Sequence, residues 1–203
     1  MEEQVLVVER KLVEKQGLFH GLQFDVKPYL DILFAPNALR FMPRSQAEKD
    51  PTYKQLIPYV LMNSNGSILT YVRGKRAGET RLVSKRSIGI GGHINPTDDA
   101  PLFGDLYQTY LSAVEREIAE EVEVQAKHTD RVVALLNDDT NEVGQVHLGI
   151  VHLWTLDSPN VTRREQMITQ MEFMTIPQLE ALADTMETWS SLCLAGVNKI
   201  VPA

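Results

Sequence analysis

Cysteine is nearly absent: Cys193 is the only one in 203 residues, so no disulfide can form within the chain. A reducing, cytoplasmic setting is expected. Cys193 sits in the apolar string SSLCLAG, which predicts a packed core thiol. Long apolar runs are missing as well. None approaches the roughly 20 residues that span a bilayer. The opening MEEQVLVVERKLVEKQG mixes charged and apolar residues. It lacks the basic start and apolar segment of a secretory signal. Positive charge is in deficit, with a net charge of −7. That argues against a nucleic-acid polymer or an anionic membrane as general partner, because both require a basic surface. A small phosphorylated ligand held through a cation stays open. There is no internal repeat and no low-complexity tract.

What is present suits a globular α/β chain. Hydrophobic residues make up 43% and charged residues 23%, ordinary values for one domain with an elaboration. Residues 4–10 and 18–26 read as strands joined by a turn at Gly17. Residues 27–53 are proline-punctuated and poorly periodic, a connecting region with short helical pieces. The expected organisation is an N-terminal extension over 1–50 and a main domain over 51–203. In the latter, QLIPYVLMN and SILTYVRG flank SNG, a strong hairpin signal. Residues 81–94 read as a strand running into glycines. Leu106, Tyr110, Val114, Ile118 and Val122 recur at helical spacing, with Asp105 as N-cap. Two further strands follow, in DRVVALLND and GQVHLGIVHLWTL, joined by the turn DTNEV. Helices in TIPQLEALADTM and ETWSSLCLAGV close the chain. Thr175 is positioned to cap the first of these.

The chemistry concentrates in REIAEEVEV, residues 116–124. Glu117, Glu120 and Glu121 share one helical face, where like charges repel. Just upstream, GGHINPTD offers a glycine loop between a strand and that helix. Hard divalent cations such as Mg²⁺ bind carboxylate oxygens together with substrate phosphates, and a bound cation offsets the repulsion.

These residues resemble the Nudix hydrolase signature: a glycine, five residues, a glutamate, seven residues, then R-E-U-x-E-E-x-G-U, with U a bulky aliphatic residue. Gly92 stands as the leading glycine. Arg116, Glu117, Ile118, Glu120, Glu121 and Val124 match the second half. Three departures stand out. Asp98 replaces the first glutamate, seventeen residues separate it from Arg116, and Glu123 occupies the late glycine. The ten extra residues lengthen the loop before the helix or its first turn.

The resemblance implies a mixed β-sheet sandwiched between helices, with an N-terminal β-strand extension. It implies a Mg²⁺- or Mn²⁺-dependent hydrolase of the pyrophosphatase class, cleaving a nucleoside-diphosphate-linked or related small molecule. Glu120 and Glu121 become metal ligands, the Gly91 carbonyl a further one, and Glu117 a ligand or base. Arg116 orients the glutamates. Weaker substrate contacts are His93, Arg86, Asp98 and Glu142. Other basic residues near the loop are Arg73, Lys75, Arg76 and Lys85. They read equally as a charged hairpin edge that discourages aggregation. Among later-loop carboxylates, Asp138, Asp139, Glu142, Glu165 and Glu172 remain open as additional ligands or bases. His147 and His152, five apart, point to opposite faces of a strand. A homodimer through the N-terminal strands fits the resemblance. Two other functions are compatible with the fold that the resemblance implies. A non-catalytic nucleotide or sugar-phosphate sensor would have little need of the three glutamates. A prenyl-diphosphate isomerase would need a reactive pocket cysteine, which Cys193 does not supply.

Overall fold

The computed structural model describes residues 2–74, 85–98, 105–166 and 168–201. Its elements in chain order begin with β1 (Gln4–Glu9), α1 (Arg10–Gln16), β2 (Gly21–Gln23), α2 (Lys27–Leu33), β3 (Leu39–Pro43) and α3 (Arg44–Ala47). The long strand β4 (Tyr53–Ser64) and β5 (Ser67–Arg73) follow, then the short β6 (Arg86–Ser87) and β7 (Ile90–Gly91). A 3-10 turn at Pro96–Asp98 precedes α4 (Leu106–Glu121). The remainder is β8 (Val122–Val124), β9 (His128–Asn137), α5 (Glu142–Gln145), β10 (His147–Leu156), β11 (Val161–Arg163) and β12 (Ile168–Thr175). It ends with α6 (Ile176–Glu180), a 3-10 turn at Ala183–Thr185, α7 (Thr188–Ala195) and α8 (Val197–Ile200). The main strands hydrogen-bond in the order β12-β5-β4-β10-β9-β2. The fold is mixed α/β, as the sequence predicts. Among the described residues no helix is long and apolar enough to cross a membrane.

The chain divides into two compact units. One comprises Met1–Pro58, Gly91–Arg116 and Ala134–Val151; the other comprises Tyr59–Ile90, Glu117–Val133 and His152–Ala203. In the first, β1 runs antiparallel to β3, from Gln4 opposite Pro43 to Val8 opposite Leu39. It also pairs with β4, Val7 opposite Gln55. Val5, Leu6, Val7 and Val8 are all fully buried, so β1 is covered on both faces and reads as a continuous apolar run. Between β1 and β2 stands α1, where the sequence suggested only a turn. An Arg10–Glu14 pair at 2.9 Å and the buried Val13 support that short helix, and Gly17 ends it at φ 131°, a conformation open to glycine. The expected DTNEV turn likewise contains α5, capped by the Asn141 side chain accepting from the Gly144 amide. Lys54 is fully buried and fixes this loop. Its Nζ donates to Asp139 Oδ1 at 2.9 Å and to the carbonyls of Gly144, Gln145 and His147 at 3.0–3.2 Å. Arg10 adds a second cation on Asp139 at 2.7 Å.

In the second unit, β4 and β5 form the hairpin that SNG predicts. Asn65 and Gly66 take φ 50° and 79°, the two positive values of a type I′ turn. Strand β12 lies antiparallel on β5, with a register shift between Thr169 and Glu172. Glu187, just before α7, gathers three hydroxyls on one oxygen: Tyr59 at 2.7 Å, Ser87 at 2.8 Å and Ser190 at 3.0 Å. This knot ties α7 to β4 and β6. Cys193 is buried in α7, and burial pushes its thiol pKa up, with Glu187 adding to the shift.

Candidate active site

Helix α4 carries the acidic face. At its start the Asp105 carboxylate accepts the Tyr107 amide at 2.9 Å, the capping that its sequence predicts. Tyr110, Ala113, Val114 and Ile118 are buried, fixing which face turns inward. On other sides Glu117 and Glu121 are half-buried and Glu120 is exposed. No glycine ends the helix. The chain passes from Glu121 directly into β8, which pairs with β11. That pairing brings the following loop to the helix end. The amides of Arg164 and Glu165 both donate to the Glu121 carbonyl at 3.0 Å.

Burial dominates the electrostatics of Glu121. Burial pushes its carboxyl above the ordinary 4.5, Glu165 and Glu120 push it further, and the Arg73 guanidinium pulls back. Glu165 is thus a later-loop carboxylate whose charge acts on an α4 glutamate.

In the first unit, the glycine loop is pinned by α4. Arg116 Nε donates to Asp98 Oδ1 at 2.5 Å, and Nη2 donates to Asp98 Oδ2 at 3.0 Å and to the His93 carbonyl at 2.9 Å. Asp98 also accepts the Asn95 amide at 2.7 Å. Its side chain is 2% exposed, so it locks the loop as the bidentate partner of Arg116. Gly91 is glycine for a steric reason, since a Cβ there would stand 2.0 Å from the Pro58 carbonyl oxygen. Gly91→Ala is therefore expected to cost roughly 1–3 kcal/mol, read as a lower denaturation midpoint at unchanged slope.

The other predicted residues fall in distinct places. His93 is largely buried, its Nε2 without a hydrogen-bond partner and its ring centroid 5.6 Å from that of His147. Burial pulls the imidazole down to about 3, Arg44 and His147 adding to the shift. His147 bonds the Val143 carbonyl through Nδ1, whereas His152 faces Asp130. Arg86 is buried and donates to Thr70 and Gln170, so it is no edge charge. Glu142 is exposed on α5. Asp138 caps its own turn through Thr140 and Asn141, and Asp139 serves Lys54 and Arg10. Lys75 and Arg76 lie outside the described residues.

Among the described residues no three His, Cys, Asp or Glu side chains form a ready-made metal cluster. The donor set on α4 nevertheless fits a hard divalent ion in its chemistry. It consists of carboxylate oxygens, the ligands such an ion prefers, and a cation offsets their mutual repulsion.

No family model matches the chain. It is 32% identical over 198 residues to Protein YmaB of Bacillus subtilis strain 168, covering 94% of this chain and 95% of that protein. The crystal structure of Tm1382, a candidate Nudix hydrolase, is 28% identical and covers 98% of this chain and 100% of its own, with a TM-score of 0.81. The chain belongs to the Nudix hydrolase family.

As a Nudix hydrolase it is an enzyme of the pyrophosphatase type. A bifunctional NMN adenylyltransferase/ADP-ribose pyrophosphatase from Francisella tularensis, complexed with AMP and a manganese ion, shares the fold. Its TM-score is 0.52 at 15% identity, over 72% of this chain and 42% of that one. This Nudix hydrolase keeps the glutamates of the signature while stretching the spacing before them. What the sequence did not single out is Glu165, whose position depends on the β8–β11 pairing. No local pattern announces that pairing.

Proposed function

We propose that the protein is a divalent-cation-dependent hydrolase of a diphosphate bond in a nucleoside-diphosphate-linked or related small molecule. Mg²⁺ or Mn²⁺ would be held by Glu117, Glu120 and Glu121. The observation that supports this reading is that Glu117, Glu120 and Glu121 of the signature stand together at the end of one helix, α4, in a chain of Nudix fold. Like charges on one helix repel, and a bound cation offsets that repulsion. When bound, the ion supplies charge neutralisation for the diphosphate and acidifies a coordinated water.

The chain's own residues do the rest. Glu120 and Glu121 fix the position of the charge. Glu117 or Glu165 takes the proton as water adds to one phosphorus. The P–O bond to the bridging oxygen breaks, and each product leaves with its own phosphate. Residues 51–203 are read as the catalytic part and 1–50 as an extension. A homodimer in a cytoplasmic setting belongs to the same reading.

The test is a screen of ADP-ribose, dinucleoside polyphosphates, oxidised nucleotides and nucleotide sugars with Mg²⁺ or Mn²⁺, scored by phosphate released after phosphatase. Turnover that EDTA abolishes and added cation restores is expected. Tight binding of one of these compounds without product would replace hydrolysis by sensing.

A further inference from the structure

Six basic residues lie between Arg73 and Arg86 inclusive, just before the glycine loop, and nothing local says which of them meets substrate. The structure separates two of them. Arg86 is 7% exposed and spends its guanidinium on Thr70 Oγ1 and Gln170 Oε1. Arg73, at the end of β5 opposite Ile168 of β12, is held differently. Its amide donates to the Lys85 carbonyl at 3.1 Å. Its guanidinium lies over the Tyr71 ring, 5.5 Å from the centroid. The Tyr71 hydroxyl is in turn fixed on the Gly89 carbonyl at 3.0 Å. Arg73 Nε is buried, yet it has no hydrogen-bond partner. A buried donor left unpaired is destabilising, and more so when charged. The same guanidinium is near enough to Glu187 and Glu121 to feel both charges, so a cation with an unpaired Nε sits near the α4 carboxylates.

We propose that Arg73 is a phosphate-binding residue of this enzyme, its unpartnered Nε, near Glu121, donating to a non-bridging oxygen of the substrate's diphosphate. This rests on the reading of the α4 glutamates as the hydrolytic centre. The chemistry is specific. A planar guanidinium matches phosphate oxygens, and stacking on Tyr71 orients the fork before substrate arrives. Arg73 balances a negative ligand while the glutamates balance a positive one.

That division gives effects of opposite sign. Removing a cation next to Glu121 favours binding of another cation, whereas removing a phosphate donor weakens the diphosphate. In Arg73→Gln, Mn²⁺ alone should bind as tightly as in the wild type or more tightly. Methylenediphosphonate, a non-hydrolysable diphosphate, should bind in the presence of Mg²⁺ about tenfold or more weakly. Arg73→Lys should recover part of that loss, since a point charge replaces a fork. Calorimetry reads all three, and circular dichroism confirms the fold. Unchanged methylenediphosphonate binding in a folded Arg73→Gln overturns the proposal while leaving the glutamate site intact. So does parallel loss of Mn²⁺ and diphosphonate, which marks a residue that merely props up Glu121. If the wild type binds neither probe and hydrolyses no diphosphate, the glutamate reading itself falls first, and this proposal with it.

Discussion

Glu121→Gln is expected to lower diphosphate turnover by roughly a hundredfold to a thousandfold, the several kcal/mol that a metal ligand contributes at about 1.4 kcal/mol per factor of ten. The loss should not come from unfolding. In the folded chain the Glu121 carboxyl is raised above its ordinary 4.5 by burial, with Glu165 and Glu120 adding. A raised carboxyl binds protons more readily in the folded state than in the unfolded one. Stability tied to it is present at low pH and is lost as pH rises through the shifted value. A neutral glutamine escapes that loss. At neutral pH the variant should therefore melt at or above the wild-type temperature, and the difference should vanish below the ordinary carboxylate range. Added Mg²⁺ should raise the wild-type melting temperature and leave the variant unmoved. Thermal scans with and without cation, alongside steady-state kinetics, check both halves.

Asp98→Ala should produce the largest loss of stability. Asp98 is buried and meets Arg116 through two hydrogen bonds, of 2.5 and 3.0 Å. It also holds the Asn95 amide. Removing one partner of such a pair strands the other, at a cost of about 3 kcal/mol. Arg116 would keep the His93 carbonyl but lose the contact that closes the loop. Asp98→Asn retains an acceptor for the Asn95 amide and should cost less. Denaturant titrations of Asp98→Ala, Arg116→Ala and the double variant form a thermodynamic cycle. A coupling near zero would contradict the clamp.

How far the sequence led is visible in these two residues. The helical spacing of Glu117, Glu120 and Glu121 is a local property, as are the Asp105 cap and the Asn-Gly turn of the β4–β5 hairpin. Each follows from short-range geometry, and each stands in the structure where the pattern puts it. Asp98 was legible as a carboxylate in a glycine loop. Its pairing was not, because eighteen positions separate it from Arg116 and no spacing rule connects a loop to a helix face. Glu165 was one of five acidic residues until β8 paired with β11. Arg73 and Arg86 looked alike as members of one basic stretch. Hydrogen bonds to Thr70 and Gln170 spend one, whereas the other stacks on Tyr71 with its Nε unpaired. The short helix α1 was missed because its seven residues depend on burial of Val13 more than on periodicity.

The proposed hydrolysis by this chain requires a divalent ion on the α4 carboxylates. Electron paramagnetic resonance of Mn²⁺ titrated into the wild type and into Glu121→Gln reads this without substrate or turnover. Saturable Mn²⁺ binding in the wild type, displaced by Mg²⁺ and weakened at least about tenfold by the substitution, is the predicted result. Equal Mn²⁺ affinity in the two proteins would contradict it.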